Sequence, residues 1–310
     1  MIITHSSLEC FKQCRQKYKH RYVSGIYPVQ KSSALEFGSQ MHLVLQHLFE
    51  CIESQQTQNV SEYEPKESVI DRLCQMIDIA EMSATDRAML KGLIIGYVNK
   101  YYDLDCQEYE IVDVEHEFRF SLPNYNKPYE AIFVGKVDGI VKCKENGKYY
   151  ILEHKTAATV DENYLTQKQI DSQTMTYALF IEKTMNITVS GAIHDIITKQ
   201  KIRLKKGESE EQFCQRLIDD VDDSNFCRIT IDFNNGELTD FSLELDSACE
   251  DLVFCDKYYK CTGQCIGRYG ACEYLPLCRN KCDLCGLEEL YTQRKPHEEI
   301  SNETLEGEQA

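Results

Sequence analysis

The sequence predicts an α/β protein built on one mixed sheet flanked by helices. Apolar residues recur at helical spacing through the first third of the chain. Period-two alternation then takes over in "EIVDVEHEFRF", "AIFVGKVDGIVKC" and "KYYILEHKT", and helix and strand patterns alternate as far as "CRITIDF". With 310 residues, 42% hydrophobic and 27% charged, the chain can bury a large core.

Each element has a local reason. "SSLE" at 6–9 reads as a capping box, with Ser6 as N-cap and Glu9 reaching back. It opens a helix with Leu8, Phe11, Tyr18 and Tyr22 on one stripe, and Cys14 falls on that stripe. A second helix, about 34–54, spaces Leu35, Gly38, His42, Leu45 and Phe49 along one face. Helices near 66–80 and 84–102 precede the three strands. A helix over 162–184, a strand at "ITVSGAIHDIIT", a helix near 208–221, the strand "CRITIDF" and a helix from about 238 to 259 lead into a cysteine-rich segment. The expected organisation is a helical part at 1–105, a core at 106–235, a C-terminal helix with the cysteine segment at 236–288, and an acidic, unstructured tail at 289–310.

The net charge of -17 argues at first against nucleic acid, because phosphate contacts need Lys and Arg. Its distribution is uneven. "FKQCRQKYKHRY" (11–22) carries Lys12, Arg15, Lys17, Lys19 and Arg21 with no acidic residue, and "KQKIRLKK" (199–206) adds a second run. Such runs permit DNA binding without establishing it, since solvated helix faces read the same way. The N-terminus has no cationic or apolar leader and no apolar run approaches membrane-spanning length, so a cytoplasmic protein with no membrane partner is expected. In a reducing compartment sixteen cysteines point to metal or cluster ligation before disulfides.

"ENGK" at 145–148 is an Asn-Gly hairpin signal between two apolar runs. If Asn146 and Gly147 are the loop, Glu145 pairs with Lys148 and Asp138 falls directly opposite Lys155. Glu153 shares that face, diagonal to Asp138 at roughly 7–8 Å. Two carboxylates and an ammonium then converge on one side of the sheet. Asp138 and Glu153 are hard oxygen ligands that one divalent cation can bridge, with the His154 carbonyl as a further oxygen, which favours Mg²⁺ or Mn²⁺. Lys155 can orient water or stabilise charge on a phosphate, the equipment of metal-assisted phosphodiester hydrolysis. A buried salt bridge between Lys155 and Asp138 is the structural alternative.

At these residues the sequence resembles the PD-(D/E)XK nuclease superfamily, in its RecB-like iron–sulfur branch of CRISPR-associated and AddB-type exonucleases and related phage nucleases. "SSLECFKQCRQKYKHRYV", "FGSQMH", "GKVDGI", "LEHKT" and "QTMTY" occur in the expected order, and Val137 stands where the family has a proline before the aspartate. The resemblance implies a restriction-endonuclease-like core and a metal-dependent deoxyribonuclease, an exonuclease acting on single strands or duplex ends. It assigns His42 as a further metal ligand and sets Gln173 and Tyr177, four residues apart on one helix face, beside the active site and DNA. Gly38 would let the His42 helix approach the sheet closely, and Glu115 is a weaker match to an upstream family glutamate. The alternative is a non-catalytic zinc or DNA-binding module on a decayed nuclease fold.

The resemblance also adds Cys14 to Cys265, Cys272 and Cys278 of "CIGRYGACEYLPLC", four thiolates for a [4Fe-4S] cluster. Cys261, Cys265, Cys282 and Cys285 form a competing set that approximates a zinc ribbon binding Zn²⁺. The acidic tail is a candidate surface for protein partners.

Overall fold

The structure is a computed structural model that describes residues 1–30, 33–123, 131–267 and 270–297. The tail proposed for protein partners therefore lies, from residue 298 on, outside the described residues. The chain opens with β1 (Ile2–Ile3), α1 (His5–Gln13), α2 (Arg15–Tyr18) and β2 (Ile26–Pro28), then α3 (Ser33–Thr57), α4 (Lys66–Asp78) and α5 (Ala84–Glu108). The middle comprises β3 (Tyr109–Ser121), β4 (Ile132–Cys143), β5 (Tyr149–Ala157), α6 (Glu162–Lys168), α7 (Ser172–Met185), β6 (Val189–Thr198), α8 (Glu210–Asp219), β7 (Phe226–Asp232) and α9 (Asn235–Val253). Last come β8 (Ile266–Gly267), β9 (Gly270–Ala271), α10 (Leu275–Arg279) and β10 (Tyr291–Gln293). This is the mixed α/β architecture expected. Among the described residues no helix is long and apolar enough to cross a membrane.

The chain forms two compact units, each made of separated segments. The larger comprises Ser33–Phe118 and Lys136–Phe241. In it β5 pairs antiparallel with β4 and parallel with β6, which pairs antiparallel with β7, while β3 pairs with β4. β6 is paired on both sides and buried along most of its length, which is why it reads as an almost unbroken apolar run. The core joins Phe37, Met41, Leu45, Leu48 and Ile52 of α3 to α4, α5 and the sheet residues Val141, Leu152 and Ile193. Each such burial contributes about 1.5–3 kcal/mol. Helix α5 carries glycine where it meets α8, because a Cβ on Gly92 would lie 2.8 Å from the Leu217 carbonyl oxygen.

The β4–β5 register differs from the expected one by two residues. Ile140 pairs with Ile151 and Lys142 with Tyr149, because the turn holds Lys144 to Gly147 rather than Asn146 and Gly147 alone. It closes with the Cys143 N–H on the Lys148 carbonyl (2.9 Å) and the Gly147 N–H on the Cys143 carbonyl (2.8 Å), with Gly147 at φ +72°. Continuing this register sets Asp138 across from Glu153 instead of Lys155. A two-residue shift preserves which side chains share a face, whereas a one-residue shift would have reversed it. The helix expected over 162–184 is also interrupted, since Asp171 caps a new helix by accepting the Gln173 N–H (2.9 Å).

The smaller unit comprises Met1–Ser32, Arg119–Gly135 and Ser242–Ala310. The cap of α1 is Thr4, not Ser6, and its reciprocal partner is Ser7: the Thr4 hydroxyl accepts the Ser7 N–H and the Ser7 hydroxyl accepts the Thr4 N–H. The single N-terminal helix expected breaks at Cys14, which is extended (φ -160°, ψ 107°), and a π-helical turn at Lys19–Val23 follows α2. β1 runs parallel to the start of β4, and β2 pairs with β10; Tyr274 donates to the Ile26 carbonyl of β2 (2.8 Å) and stacks on Tyr291 of β10. The basic run is partly engaged internally. Lys17 and Arg21 face Glu273 (3.3 and 3.9 Å), Arg15 lies over Phe11 and Tyr259, and Lys19 over Tyr258.

Candidate active site

Four elements of the larger unit, α3, β4, β5 and α7, bring seven of the expected residues together. The His42 Nδ1 of α3 lies 3.2 Å from Asp138 Oδ1 at the middle of β4. The second oxygen, Asp138 Oδ2, accepts the backbone N–H of His154 at 2.8 Å. On β5, the Lys155 ammonium donates to Glu153 Oε1, and also to Gln173 Oε1 at the start of α7 (3.1 Å). Gln173 Nε2 donates in turn to the Tyr177 hydroxyl one helical turn on (3.0 Å). The ion pair is thus Lys155 with Glu153 on the same strand, not Lys155 with Asp138, and the two-residue register shift moves Asp138 from opposite Lys155 to opposite Glu153.

Burial sets the electrostatics. Glu153 is 2% exposed, and burial together with the Asp138 charge pushes its carboxyl up to about 7 despite Lys155. Burial would raise Asp138 as well, but the hydrogen bond and charge of His42, with His154 and Lys155, hold it at about 2. Burial would lower His42 and Lys155, and their carboxylate partners raise both. Glu153 Oε2 is buried with no hydrogen-bond partner. An orphaned carboxylate oxygen beside a second carboxylate and an imidazole is a donor set suited to a hard divalent cation.

His154 divides between two tasks. Its N–H holds Asp138, while its buried ring, pushed down to about 4 by burial, packs against Phe49 and Tyr97 on the side of the strand away from Lys155. Its Nδ1 lies 3.6 Å from Asp195 Oδ2. Asp195 belongs to a buried network absent from the sequence reading: Arg228 pairs with Asp195 (2.6 Å) and Asp105, and Tyr97 donates to Asp195. A charged pair inside the apolar run "AIHDIIT" was the available signal. His194, next to Asp195, is fully buried with both ring nitrogens unpartnered. Glu115 stands outside the cluster, paired with Lys136 and in the left-handed region at φ +54°. Gly38 makes no unusual approach, since a Cβ there would meet Thr156 Oγ1 at an ordinary 3.5 Å.

In the smaller unit a cavity of about 550 Å³ is lined by Cys14, Cys261, Cys265, Cys272 and Cys278. All four cysteines expected to hold a cluster are among them. Cys14 Sγ accepts the Cys261 N–H at 3.4 Å, and the break between α1 and α2 falls at this cysteine. Among the described residues the group of three ligands whose donor atoms all lie within 4.8 Å of one another is His20, Cys278 and Cys282. Neither the zinc-ribbon set of Cys261, Cys265, Cys282 and Cys285 nor the cluster set of Cys14, Cys265, Cys272 and Cys278 gathers in this way.

Residues 2–279 match the family model of the PD-(D/E)XK nuclease superfamily. The chain belongs to this superfamily. A protein from Eubacterium rectale described as a candidate exonuclease is 12% identical, with a TM-score of 0.46, 99% of this chain and 93% of that one being covered. The protein SSO0001 is 13% identical, with a TM-score of 0.28 and coverage of 70% and 98%. A search of curated proteins finds no significant match. Membership in a PD-(D/E)XK nuclease superfamily identifies the chain as a nuclease of hydrolytic type, a class that uses divalent metal.

Proposed function

We propose that this PD-(D/E)XK protein is a metal-dependent deoxyribonuclease, an exonuclease, with an iron–sulfur cluster that serves structure. The observation that carries the reading is Glu153, one oxygen on Lys155 and the other buried without a partner beside the His42–Asp138 pair. Asp138, Glu153 and His42, with the His154 carbonyl, would hold Mg²⁺ or Mn²⁺, and each is a hard or borderline donor that suits those ions. The bound cation would supply charge neutralisation at the scissile phosphate and a more acidic water.

The protein's own groups do the rest. The Lys155 ammonium is held between Glu153 and Gln173, so it is fixed to orient the attacking water or to stabilise negative charge on the phosphate. Gln173, oriented by Tyr177 and by the Asp171 cap, fixes where Lys155 points. In-line attack forms a water-oxygen bond to phosphorus and breaks the bond to the 3′ oxygen, leaving a 5′-phosphate and a 3′-hydroxyl. The cavity of five cysteines offers more than the four thiolates a [4Fe-4S] cluster needs, and the N–H donated to Cys14 Sγ is of the kind that stabilises a thiolate.

The test uses two DNA substrates of one sequence, a covalently closed circle and its linear form, with Mn²⁺ or Mg²⁺. An exonuclease degrades only the linear form and releases 5′-phosphorylated products. Cleavage of the circle would make the protein an endonuclease, and intact DNA under every cation would remove the catalytic reading.

A further inference from the structure

We propose that His20, Cys278 and Cys282 hold a single zinc ion, in a centre separate from the iron–sulfur cluster. Their ligand atoms lie within 4.8 Å of one another. His20 Nε2 stands 3.6 Å from Cys278 Sγ. In a tetrahedral site with Zn–N about 2.0–2.1 Å and Zn–S about 2.3 Å, the N···S edge is also about 3.6 Å. The separation, which a thiol–imidazole hydrogen bond also has, fits two ligands on one ion without rearrangement. Cysteines on a [4Fe-4S] cluster bind different irons and stand farther apart than the edge of one ion's tetrahedron.

Independent features prepare each ligand. His20 is 3% exposed, and its ring is stacked on Tyr274, which fixes the ring plane. The side-chain amide of Gln16 lies 3.1 Å from His20 Nε2 and donates to it, which makes Nε2 the nitrogen carrying a lone pair, as a metal requires. Zinc at this nitrogen replaces that one hydrogen bond. Cys282 reaches the site through two consecutive left-handed residues, Lys281 at φ +54° and Cys282 at +65°, a conformation unusual away from glycine. The Cys282 N–H on the Leu277 carbonyl (2.9 Å) ties this turn to α10, which carries Cys278. Two thiolates and an imidazole are a donor set for zinc, with a fourth position left for water.

The assignment is independent of the nuclease reading, and it bears on the cluster reading because Cys278 serves one centre at a time. With Cys278 on zinc, the cavity retains Cys14, Cys261, Cys265 and Cys272, the four thiolates needed for iron. This replaces Cys278 by Cys261 in the expected cluster set.

The test is metal analysis of the full chain, purified without oxygen after growth with iron and zinc. It compares wild type with Cys278→Ser, Cys282→Ser and Cys265→Ser. The wild type should hold about one zinc per chain. Cys278→Ser and Cys282→Ser should each lose most of it while keeping iron and its visible absorption, and Cys265→Ser should do the reverse. Cobalt added to zinc-depleted wild type gives a readout that needs no variant to fold, with thiolate-to-cobalt charge transfer and tetrahedral ligand-field bands expected. A wild type that contains no zinc and gives no tetrahedral cobalt spectrum overturns the proposal. So does loss of iron from Cys278→Ser or Cys282→Ser. Zinc without iron in the wild type would support this site and overturn the cluster reading instead.

Discussion

Glu153 gives one carboxylate oxygen to the Lys155 ammonium two residues along β5 and keeps the other buried with no hydrogen-bond partner. A buried carboxylate left half satisfied is costly unless something else completes it. The two carboxylates differ in their surroundings, Asp138 being held low by His42 and Glu153 pushed up by burial and by the Asp138 charge.

Removing the charge should separate metal binding from folding. Glu153→Gln keeps the size of the side chain and loses the anionic ligand, so Mn²⁺ should no longer raise the melting temperature, while the metal-free protein melts at or above the wild-type temperature. Differential scanning calorimetry with and without Mn²⁺ measures both, and an undiminished Mn²⁺ shift would remove Glu153 from the ligand set.

The same residue should give metal-free protein a pH signature. Its folded value is raised from 4.5 to about 7, so the folded state holds the proton more tightly than the unfolded chain does. That contribution to stability is complete below about pH 4.5 and is lost as pH rises through about 7. Asp105, raised to about 6 by burial, slopes in the same direction, so the difference between wild type and Glu153→Gln isolates Glu153. In EDTA the melting temperature of wild type should fall relative to Glu153→Gln between pH 5 and 8. Parallel curves would contradict the assignment. Mn²⁺ affinity should rise over the same interval as the proton leaves.

Arg228 should matter for stability well beyond its distance from the chemistry. It is the cation between Asp195 and Asp105, both buried, and Asp195 lies beside the His154 ring. Arg228→Met leaves two buried carboxylates without their partner and should cost about 3–5 kcal/mol. Urea unfolding measures this, and a loss under 1 kcal/mol would mean the carboxylates are satisfied in another way.

Cys14 and Lys155 should fail in different assays. Cys14→Ala should lose iron and thermal stability first and activity only as a consequence, because the residue lies at the cysteine cavity of the smaller unit. Iron content and melting temperature decide this, and full retention of both would remove Cys14 from the ligands.

Much of the site was legible because its signals are short and parity-protected. Asp138, Glu153 and Lys155 share one face under the two-residue Asn-Gly turn as under the observed one, because the two registers differ by an even number of residues. The register itself was hidden because an Asn-Gly pair marks a turn without fixing its length, and here Lys144 and Glu145 join the loop. The division into units was illegible for a different reason. β2 pairs with β10 across most of the chain, and no local pattern records which distant edge a three-residue strand will find. The break at Cys14 was invisible because "LECFKQCRQKY" has helical periodicity on both sides of it. Arg228, Asp195 and Asp105 were missed because periodicity marks charged residues as solvent-facing, and only the folded strands show that these three satisfy one another.

The most direct test of the central claim is single-turnover cleavage of end-labelled linear DNA in Mn²⁺ by wild type and Lys155→Ala, with binding followed in Ca²⁺. Lys155 acts on the attacking water or the developing phosphate charge, so its loss should slow cleavage by about 10²–10³-fold while DNA affinity changes little and EDTA abolishes the wild-type reaction. Wild-type cleavage rates in Lys155→Ala would make the Glu153–Lys155 pair a structural salt bridge, and cleavage that persists in EDTA would contradict the metal mechanism.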